Sequence, residues 1–497
     1  MQNFTLTRRE LLGLGAATLL SAGCGREILP DEDDALAGAL STEAASPNIV
    51  VFLSDTLRAD HVGCYGYPVN TTPFVDSMAR KGVVFEECYS LSSWTKPMMA
   101  SLDCGVVPVV HQAVASQFAK DDMKTLGVQV LRDDFVTFSE IFEAKGYHTA
   151  WFLANVHMQQ EYGFGRGFSH YRYRNGEDPA GQMDAVLHHL VNEVSGPFLL
   201  FIHCIDPHGP YIPPARVYEE LHGRTIRQAQ ADMASGDQAI IDAWDSYYMH
   251  PMAEGASRPD LDGLSSRGVD YLISLYDAEI AHVDRQVQRL ISFLERQGAM
   301  DDTYFIFTSD HGEAFGEHGM FYHGNNLYDE EIHVPLVISG PGLAEGARVP
   351  WTVGLIDLFA TMVRFGGEKV PSYCQSRPLF TSEGDVAVTD DRTVYLEYDR
   401  YEEDPSYWKT GIITGPIKVM SENYNDDYII FDREADPEET VNLADGDTVS
   451  DPELREVAHL LDEKREAMWE LSEEFGPPEW SVTDEHYQEE LRSLGYL

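Results

Sequence analysis

Asn48-Ile49-Val50-Val51-Phe52-Leu53-Ser54-Asp55-Thr56-Leu57-Arg58-Ala59-Asp60-His61 is the stretch that decides the fold. The unbroken apolar run from Ile49 to Leu53 suits a strand buried on both faces, as in a parallel sheet covered by helices. It stops abruptly at Ser54-Asp55-Thr56, so the strand ends in polar chemistry. Further strands of this kind are expected at Tyr147–Leu153, Phe198–Ile205, Tyr304–Thr308 and Val334–Ile338. Helical patterns lie between them, near Phe74–Lys81, Phe138–Lys145 and Met183–Glu193. The longest runs over Val269–Gln297, where Leu272, Leu275, Tyr276, Ile280, Val283, Val287, Leu290 and Leu294 form one apolar stripe and Gly298 provides a stop. Strand and helix alternate, which predicts a doubly wound, mostly parallel α/β sheet.

The pattern changes along the chain. Residues 211–268 are polar and rich in Asp, Ala and Ser, and read as an insertion beside the active face of a main domain spanning 48–366. Beyond Gly366, short strands at Val394–Tyr398, Thr410–Thr414, Ile417–Met420 and Tyr428–Phe431 precede a charged helix around Pro452–Glu473. Residues 367–497 therefore read as a small C-terminal α+β module.

The chain has 497 residues, 83 acidic against 35 basic, for a formal charge of −48, and 43% of it is hydrophobic. That apolar content suffices for a large core despite the charge. The acidity excludes the clustered Lys and Arg that nucleic-acid binding draws on, and disfavours adhesion to anionic lipid. It fits a solvated acidic surface, with a salty habitat or a cationic substrate as the sharper alternatives.

The first 24 residues read as an address. Arg8-Arg9 precede an apolar run shorter than the ~20 residues a membrane span needs, and small residues lead to Cys24. This resembles a twin-arginine export signal ending in a lipoprotein site, although Leu20 stands one position further from Cys24 than in the usual lipobox. The expectation is an exported protein, periplasmic or at the cell surface, lipid-anchored at Cys24, with an acidic linker over 25–47. That anchor is its one predicted membrane contact. Cys64, Cys88, Cys104, Cys204 and Cys374 remain, an odd number without CxxC spacing, so they read as buried small hydrophobes with at most two disulfides.

Three predicted strands end in clusters: Ser54-Asp55-Thr56 to His61, His203-Cys204-Ile205-Asp206-Pro207-His208, and Thr308-Ser309-Asp310-His311-Gly312-Glu313. An aspartate at a strand end is often only a helix cap. Three clusters of carboxylate and imidazole on one sheet edge instead suit an oxygen-and-nitrogen metal site assembled from distant sequence.

The segments DTLRADHVGCYGY (55–67), SSWTKPMMASL (92–102), HCIDPHGPYIPP (203–214) and TSDHGEAFGEHGMFYHGNNLYDEEIHVPLVISGPG (308–342) resemble the sulfatase family of the alkaline phosphatase superfamily. So do the long helix YDAEIAHVDRQVQRLISFLERQG and, in the tail, YIIFDREADPEETVNL and ELRSLGYL; the likeness runs from about Asn48 to Leu497. It implies that Asp55, Asp310 and His311 hold a divalent metal, with Thr56 where many members have a second ligand Asp. Ca²⁺ is the family default, while His311 and Thr56 leave Mn²⁺, Mg²⁺ or Zn²⁺ open. By the same resemblance Thr95 falls at the nucleophile position, His208 contacts the transferred group, His323 lies against the sulfate or leaving oxygen, and His203 assists. The substrate implied is a small-molecule or glycan sulfate or phosphate ester.

The departure is at Thr95-Lys96-Pro97-Met98-Met99, where formylglycine enzymes carry Cys or Ser followed by x-Pro-Ser-Arg. Threonine does not convert to formylglycine, so no formylglycine is expected. Three readings stay open. Thr95 is the nucleophile of a hydrolase, or of a phosphoryl or phosphoethanolamine-type transferase or phosphodiesterase. The metal activates water directly with Thr95 as ligand or spectator. Or the chain is a catalytically degenerate binding lipoprotein. Lys96 either binds the anion or points to solvent; Arg58 and His61 either orient Asp55 or hold the first loop. His318 and His282 read as structural, and Trp94 and Tyr65 as packing or pocket-lining residues.

Overall fold

The computed structural model describes residues 46–114, 116–119, 122–249, 260–398, 408–422, 427–444, 449–483 and 488–491. The export signal, Cys24 and nearly all of the acidic linker lie outside the described residues. Among the described residues no helix is long and apolar enough to cross a membrane.

The central sheet has eight strands: β1 (Asn48–Ser54), β2 (Val83–Phe85), β3 (His148–Leu153), β4 (His170–Tyr173), β5 (Phe198–Cys204), β6 (Thr303–Thr308), β7 (Leu336–Ser339) and β8 (Ala347–Val349). Their order is β8-β2-β7-β6-β1-β5-β3-β4. The sheet is mostly parallel. β7 alone runs against both of its neighbours, β6 and β2. Reversal lets the chain return directly past the loops that follow β6 without a helical crossover.

Helices cover both faces. Along β1 the side chains alternate, so Ile49, Val51 and Leu53 enter one core while Val50 and Phe52 enter the other. The first core packs on α2 (Thr95–Cys104), α3 (Phe138–Ala144) and α6 (Asp357–Phe365). The second packs on α1 (Pro73–Ala79), α4 (Pro179–Asn192) and α5 (Ser266–Arg296). Every β1 residue is buried, and each large apolar side chain contributes roughly 1.5–3 kcal/mol. Local signals set the helix ends. Thr137 and Glu140 form a reciprocal capping box on α3, Asp178 caps α4 ahead of Pro179, and Gly298, with φ +68°, takes the left-handed turn after α5.

The segment 211–268 contains helices at Ala215–His222, Ile226–Ala231 and Ser235–Met249. Tyr218, Ile241 and Trp244 join the second core, so the segment is anchored to α5 rather than loosely appended. The C-terminal part forms an antiparallel sheet of β9 (Thr393–Tyr398), β10 (Lys409–Thr414), β11 (Ile417–Glu422) and β12 (Tyr428–Asp432), backed by α7 (Pro452–Phe475). Its apolar residues Leu396, Ile412, Val419 and Leu461 belong to the same core as Met98 and Phe359 of α2 and α6. A small further sheet joins strands at Ser116–Ala119 and Asp122–Gln129 to Trp480–Val482 near the C-terminus.

Candidate active site

β1, β5 and β6 are parallel neighbours, with Leu53 opposite both His203 and Thr308. Their carboxyl ends therefore open at one edge, and the loops after them meet. The Asp55 amide extends the ladder one step by donating to Cys204 O at 3.0 Å. Thr56 follows with φ +58°, a left-handed conformation that costs a β-branched residue on the order of 1–2 kcal/mol. Its neighbours hold it there: Thr56 N–H donates to Asp310 Oδ1 at 3.3 Å, and the Tyr276 hydroxyl donates to Thr56 O at 2.7 Å. In the third loop Gly312 is required sterically, since a Cβ there would lie 2.1 Å from Glu330 O.

The donor atoms of Asp55, Asp310 and His311 all lie within 4.8 Å of one another, and all three side chains are buried. His311 Nε2 is 3.7 Å from Asp55 Oδ1 and 3.5 Å from Asp310 Oδ2. His203 Nε2 approaches the other side, 3.7 Å from Asp55 Oδ2 and 3.8 Å from Asp310 Oδ2. Burial and repulsion from Asp310 push the Asp55 carboxyl well up. Burial acts the same way on Asp310, but His311 and His203 outweigh it and hold that carboxyl below its usual range. Asp55 Oδ1 and Asp310 Oδ2 are buried without a hydrogen-bond partner. Two such carboxylates face to face are a strongly unfavourable arrangement unless a cation joins them. The donor set, two carboxylates and an imidazole, fits a divalent ion.

Thr95 begins α2, so its hydroxyl sits at the positive end of a helix. Thr95 Oγ1 is 3.2 Å from His311 Nε2. The Asn155 amide donates to Asp55 Oδ2 at 2.8 Å and to Thr95 Oγ1 at 3.3 Å. A row of imidazoles continues from His311: its ring centroid is 4.6 Å from that of His323, which is 4.9 Å from that of His208. Each has an acceptor at Nδ1, namely Gly312 O for His311, Gly209 O for His208 and Glu313 Oε1 for His323. Those Nδ1 atoms therefore donate, which puts the lone pair of each ring on Nε2. Burial pushes His208 down to about 3, which keeps that ring neutral.

The structure thus gathers Asp55, Asp310, His311, Thr95, His203, His208 and His323 at one edge. Thr56 meets the cluster through its main chain, while its hydroxyl is buried without a partner. His203 stands against the Asp55 and Asp310 carboxylates. Lys96 is fully buried, which removes the solvent-facing alternative, and burial pushes its pKa down. Arg58 braces the first loop through Asp60, Glu317 and Glu313 O, and His61 does so through Asp277 at 2.8 Å; neither contacts Asp55 by hydrogen bond. His318 hydrogen-bonds Glu330 at 2.8 Å and stacks on Tyr328, and His282 reaches Asp178 at 3.3 Å, both as structural partners. The Tyr65 hydroxyl donates to Phe85 O, and Trp94 packs edge-on against His157. The five described cysteines are free thiols, without either of the disulfides the sequence allowed.

Asn155, His157 and the Glu313 contact to His323 are functional candidates that the sequence reading passed over. A signal existed for the first two, because Asn155 and His157 follow directly on β3, a fourth strand ending at the same edge. His157 is buried, and burial together with Lys96 and His208 keeps its pKa low.

A doubly wound sheet with a buried Asp/His cluster and a helix-borne hydroxyl at its carboxyl edge defines an α/β hydrolase-type enzyme. The sulfatase family model matches residues 47–367, and the model for the C-terminal region of N-sulphoglucosamine sulphohydrolase matches 316–470. The chain belongs to the sulfatase family, whose enzymes hydrolyse sulfate esters. It is 24% identical to an N-acetylglucosamine-6-O-sulfatase of Bacteroides thetaiotaomicron, over 85% of this chain and 86% of that protein. It is 22% identical to arylsulfatase K of Xenopus laevis, over 89% and 90%. Among solved structures it resembles a phosphonate monoester hydrolase from Silicibacter pomeroyi, with a TM-score of 0.65, 18% identity and coverage of 85% and 95%. It also resembles a protein solved with its substrate D-glucosamine-2-N,6-O-disulfate, with a TM-score of 0.64, 21% identity and coverage of 87% and 99%.

Proposed function

We propose that this protein is a metal-dependent hydrolase of sulfate or phosphate esters in which Thr95 is the nucleophile. One observation carries the reading: the Thr95 hydroxyl is held between His311 and Asn155, and Asn155 also holds Asp55. Asp55, Asp310 and His311 would hold the cation, Ca²⁺ by family habit, and with it comes charge stabilisation and a lowered hydroxyl pKa. The chain's own groups do the rest. Thr95 Oγ1 attacks sulfur or phosphorus as its proton passes to a neighbouring base, and the ester S–O or P–O bond breaks. The Nε2 lone pairs of His208 and His323 are the candidate acceptors of the Thr95 proton, and the ring that takes it returns it to the leaving alcohol. Water then cleaves the Thr95 ester, releasing sulfate or phosphate and restoring the hydroxyl. Thr95 stands at the helix N-terminus, whose positive end favours the anionic charge that gathers there.

Sulfated sugars are the substrate class suggested by the N-acetylglucosamine-6-O-sulfatase likeness. Arg8-Arg9 and Cys24 support export and lipid anchoring, tested by fractionating cells that carry Arg8→Lys with Arg9→Lys, or Cys24→Ala. The enzymatic test presents aryl sulfate, a phosphate monoester and a phosphodiester with Ca²⁺, Mn²⁺, Mg²⁺ and Zn²⁺. Wild type should turn over at least one ester, while Thr95→Ala and Asp310→Ala stay silent. Full turnover by Thr95→Ala overturns the nucleophile, and the absence of both turnover and metal binding leaves a degenerate binding protein.

A further inference from the structure

At the opposite end of the sheet from the catalytic edge, three imidazoles and a carboxylate converge. His148 opens β3, and His170 opens β4. The helix α4 carries the chain back from β4 to β5, so it runs against both strands and its last turn returns to where they begin. That turn bears His189 and, four residues on, Glu193, which share a helix face. His189 Nδ1 lies 3.4 Å from Glu193 Oε2, and His170 Nδ1 lies 3.8 Å from the same oxygen. The His170 and His189 ring centroids are 3.9 Å apart. All three donor atoms lie within 4.8 Å of one another. His189 is 2% exposed, and its Nδ1, like His170 Nε2, is buried without a hydrogen-bond partner. Phe152 packs against both rings and fixes their planes.

We propose that His170, His189 and Glu193 form a second cation site, separate from the catalytic cluster and suited to a Zn²⁺-class transition ion. The donor chemistry selects the ion. Two imidazole nitrogens and one carboxylate oxygen suit zinc and its neighbours, whereas Ca²⁺ and Mg²⁺ favour all-oxygen sets. The spacing agrees, because zinc bonds of ~2.0–2.1 Å in a tetrahedron put ligand atoms ~3.3 Å apart. His148 acts behind the ligands. Its Nε2 is 2.8 Å from His189 Nε2, so the two share one proton. With that proton on His189 Nε2, the His189 Nδ1 lone pair faces the cluster, as an outer partner of a metal-bound histidine should arrange. Three protein ligands leave a fourth position open on the side of Glu193, whose side chain is 52% exposed. The bound ion would tie the last strand of the sheet, β4, to α4.

The test titrates the purified chain with Zn²⁺, and with Co²⁺ for its visible d–d absorption, in excess Ca²⁺. One saturable equivalent should bind in wild type and persist in Asp310→Asn, which removes a catalytic-edge ligand. His170→Ala should weaken it at least about 100-fold, and His148→Ala about 10- to 100-fold. If circular dichroism shows His170→Ala unfolded, Glu193→Gln on the exposed helix end carries the same comparison. The inference is overturned if His170→Ala or Glu193→Gln binds like wild type. It is equally overturned if Asp310→Asn abolishes the signal, or if binding never saturates.

Discussion

Asn155 offers the sharpest test of the site, because one amide group serves two of its members. Asn155→Ala removes the donor 2.8 Å from Asp55 Oδ2 and the longer one 3.3 Å from Thr95 Oγ1. A hydrogen bond to a charged group contributes ~1.5–3 kcal/mol, and a long neutral one stands at the low end of ~0.5–1.5 kcal/mol. A bound cation would offset part of the Asp55 loss, which leaves about 2 kcal/mol expressed at the reacting centre. That corresponds to a fall in kcat/KM of about 30-fold. The substitution also removes the acceptor for His157 N–H at 3.0 Å, so a local loosening of that turn adds to the loss. The assay is steady-state turnover of the ester that wild type hydrolyses, beside a divalent-ion titration and a melting curve to confirm folding. A folded variant whose kcat/KM and ion affinity stay within about twofold of wild type would refute the reasoning.

Asp103 is buried in α2 with neither carboxylate oxygen hydrogen-bonded, and burial pushes its pKa up to about 8. Its folded-state pKa exceeds the unfolded value, so the stability linked to its protonation is full below pH ~4 and lost as pH rises towards 8, up to about 5 kcal/mol. Asp103→Asn should therefore gain on wild type in urea midpoints between pH 5 and pH 9, and parallel profiles would contradict this. Lys418 is fully buried with its ammonium 2.7 Å from Asp329 and 2.8 Å from Glu439, so Lys418→Met should cost about 3–5 kcal/mol in thermal or chemical unfolding. Burial and Asp329 push Glu439 up to about 7, so that penalty should shrink at pH 5.5, where Glu439 is protonated; a pH-independent loss below 1 kcal/mol counts against the cluster. Gly312→Ala drives a Cβ into Glu330 O and should cut turnover by more than about tenfold while lowering Tm, and wild-type kinetics in that variant would refute the steric account.

The central sheet was legible because its strands announce themselves. Ile49–Leu53 and Phe198–Ile205 are apolar runs that end in charge, and Val269–Gln297 carries a stripe too long to be anything but a helix. The helix α2 was not legible. All ten of its residues are buried, so it shows no polar face, and it lacks a side-chain cap at Trp94. The sheet that joins Asp122–Gln129 to Trp480–Val482 depends on pairing across most of the chain, which no local pattern encodes. In the site, the clusters that contain Asp55, Asp310 and His311 are legible because they follow strong strands, while the choice of these three as ligands comes from the family resemblance. Asn155 escaped because its role rests on a neutral amide, a residue type that turns use everywhere. His203 reads from the sequence only as an assisting residue in the loop of His208; its approach to the Asp55 and Asp310 carboxylates depends on strand pairing that brings distant segments together.

The single core that runs from α2 and α6 into β9–β12 and α7 has a practical consequence for anyone dissecting this protein. Glu397 N–H donates to Leu91 O, its carboxylate accepts from Val109 N–H at 3.0 Å, and the Ser472 hydroxyl donates to Val109 O. A recombinant fragment stopped near Phe365 would lay bare the apolar seam that Leu396, Ile412 and Leu461 fill, and should be recovered as inclusion bodies rather than as a minimal enzyme. Deletion mapping is the wrong tool for this chain; point variants on the intact polypeptide are the right one.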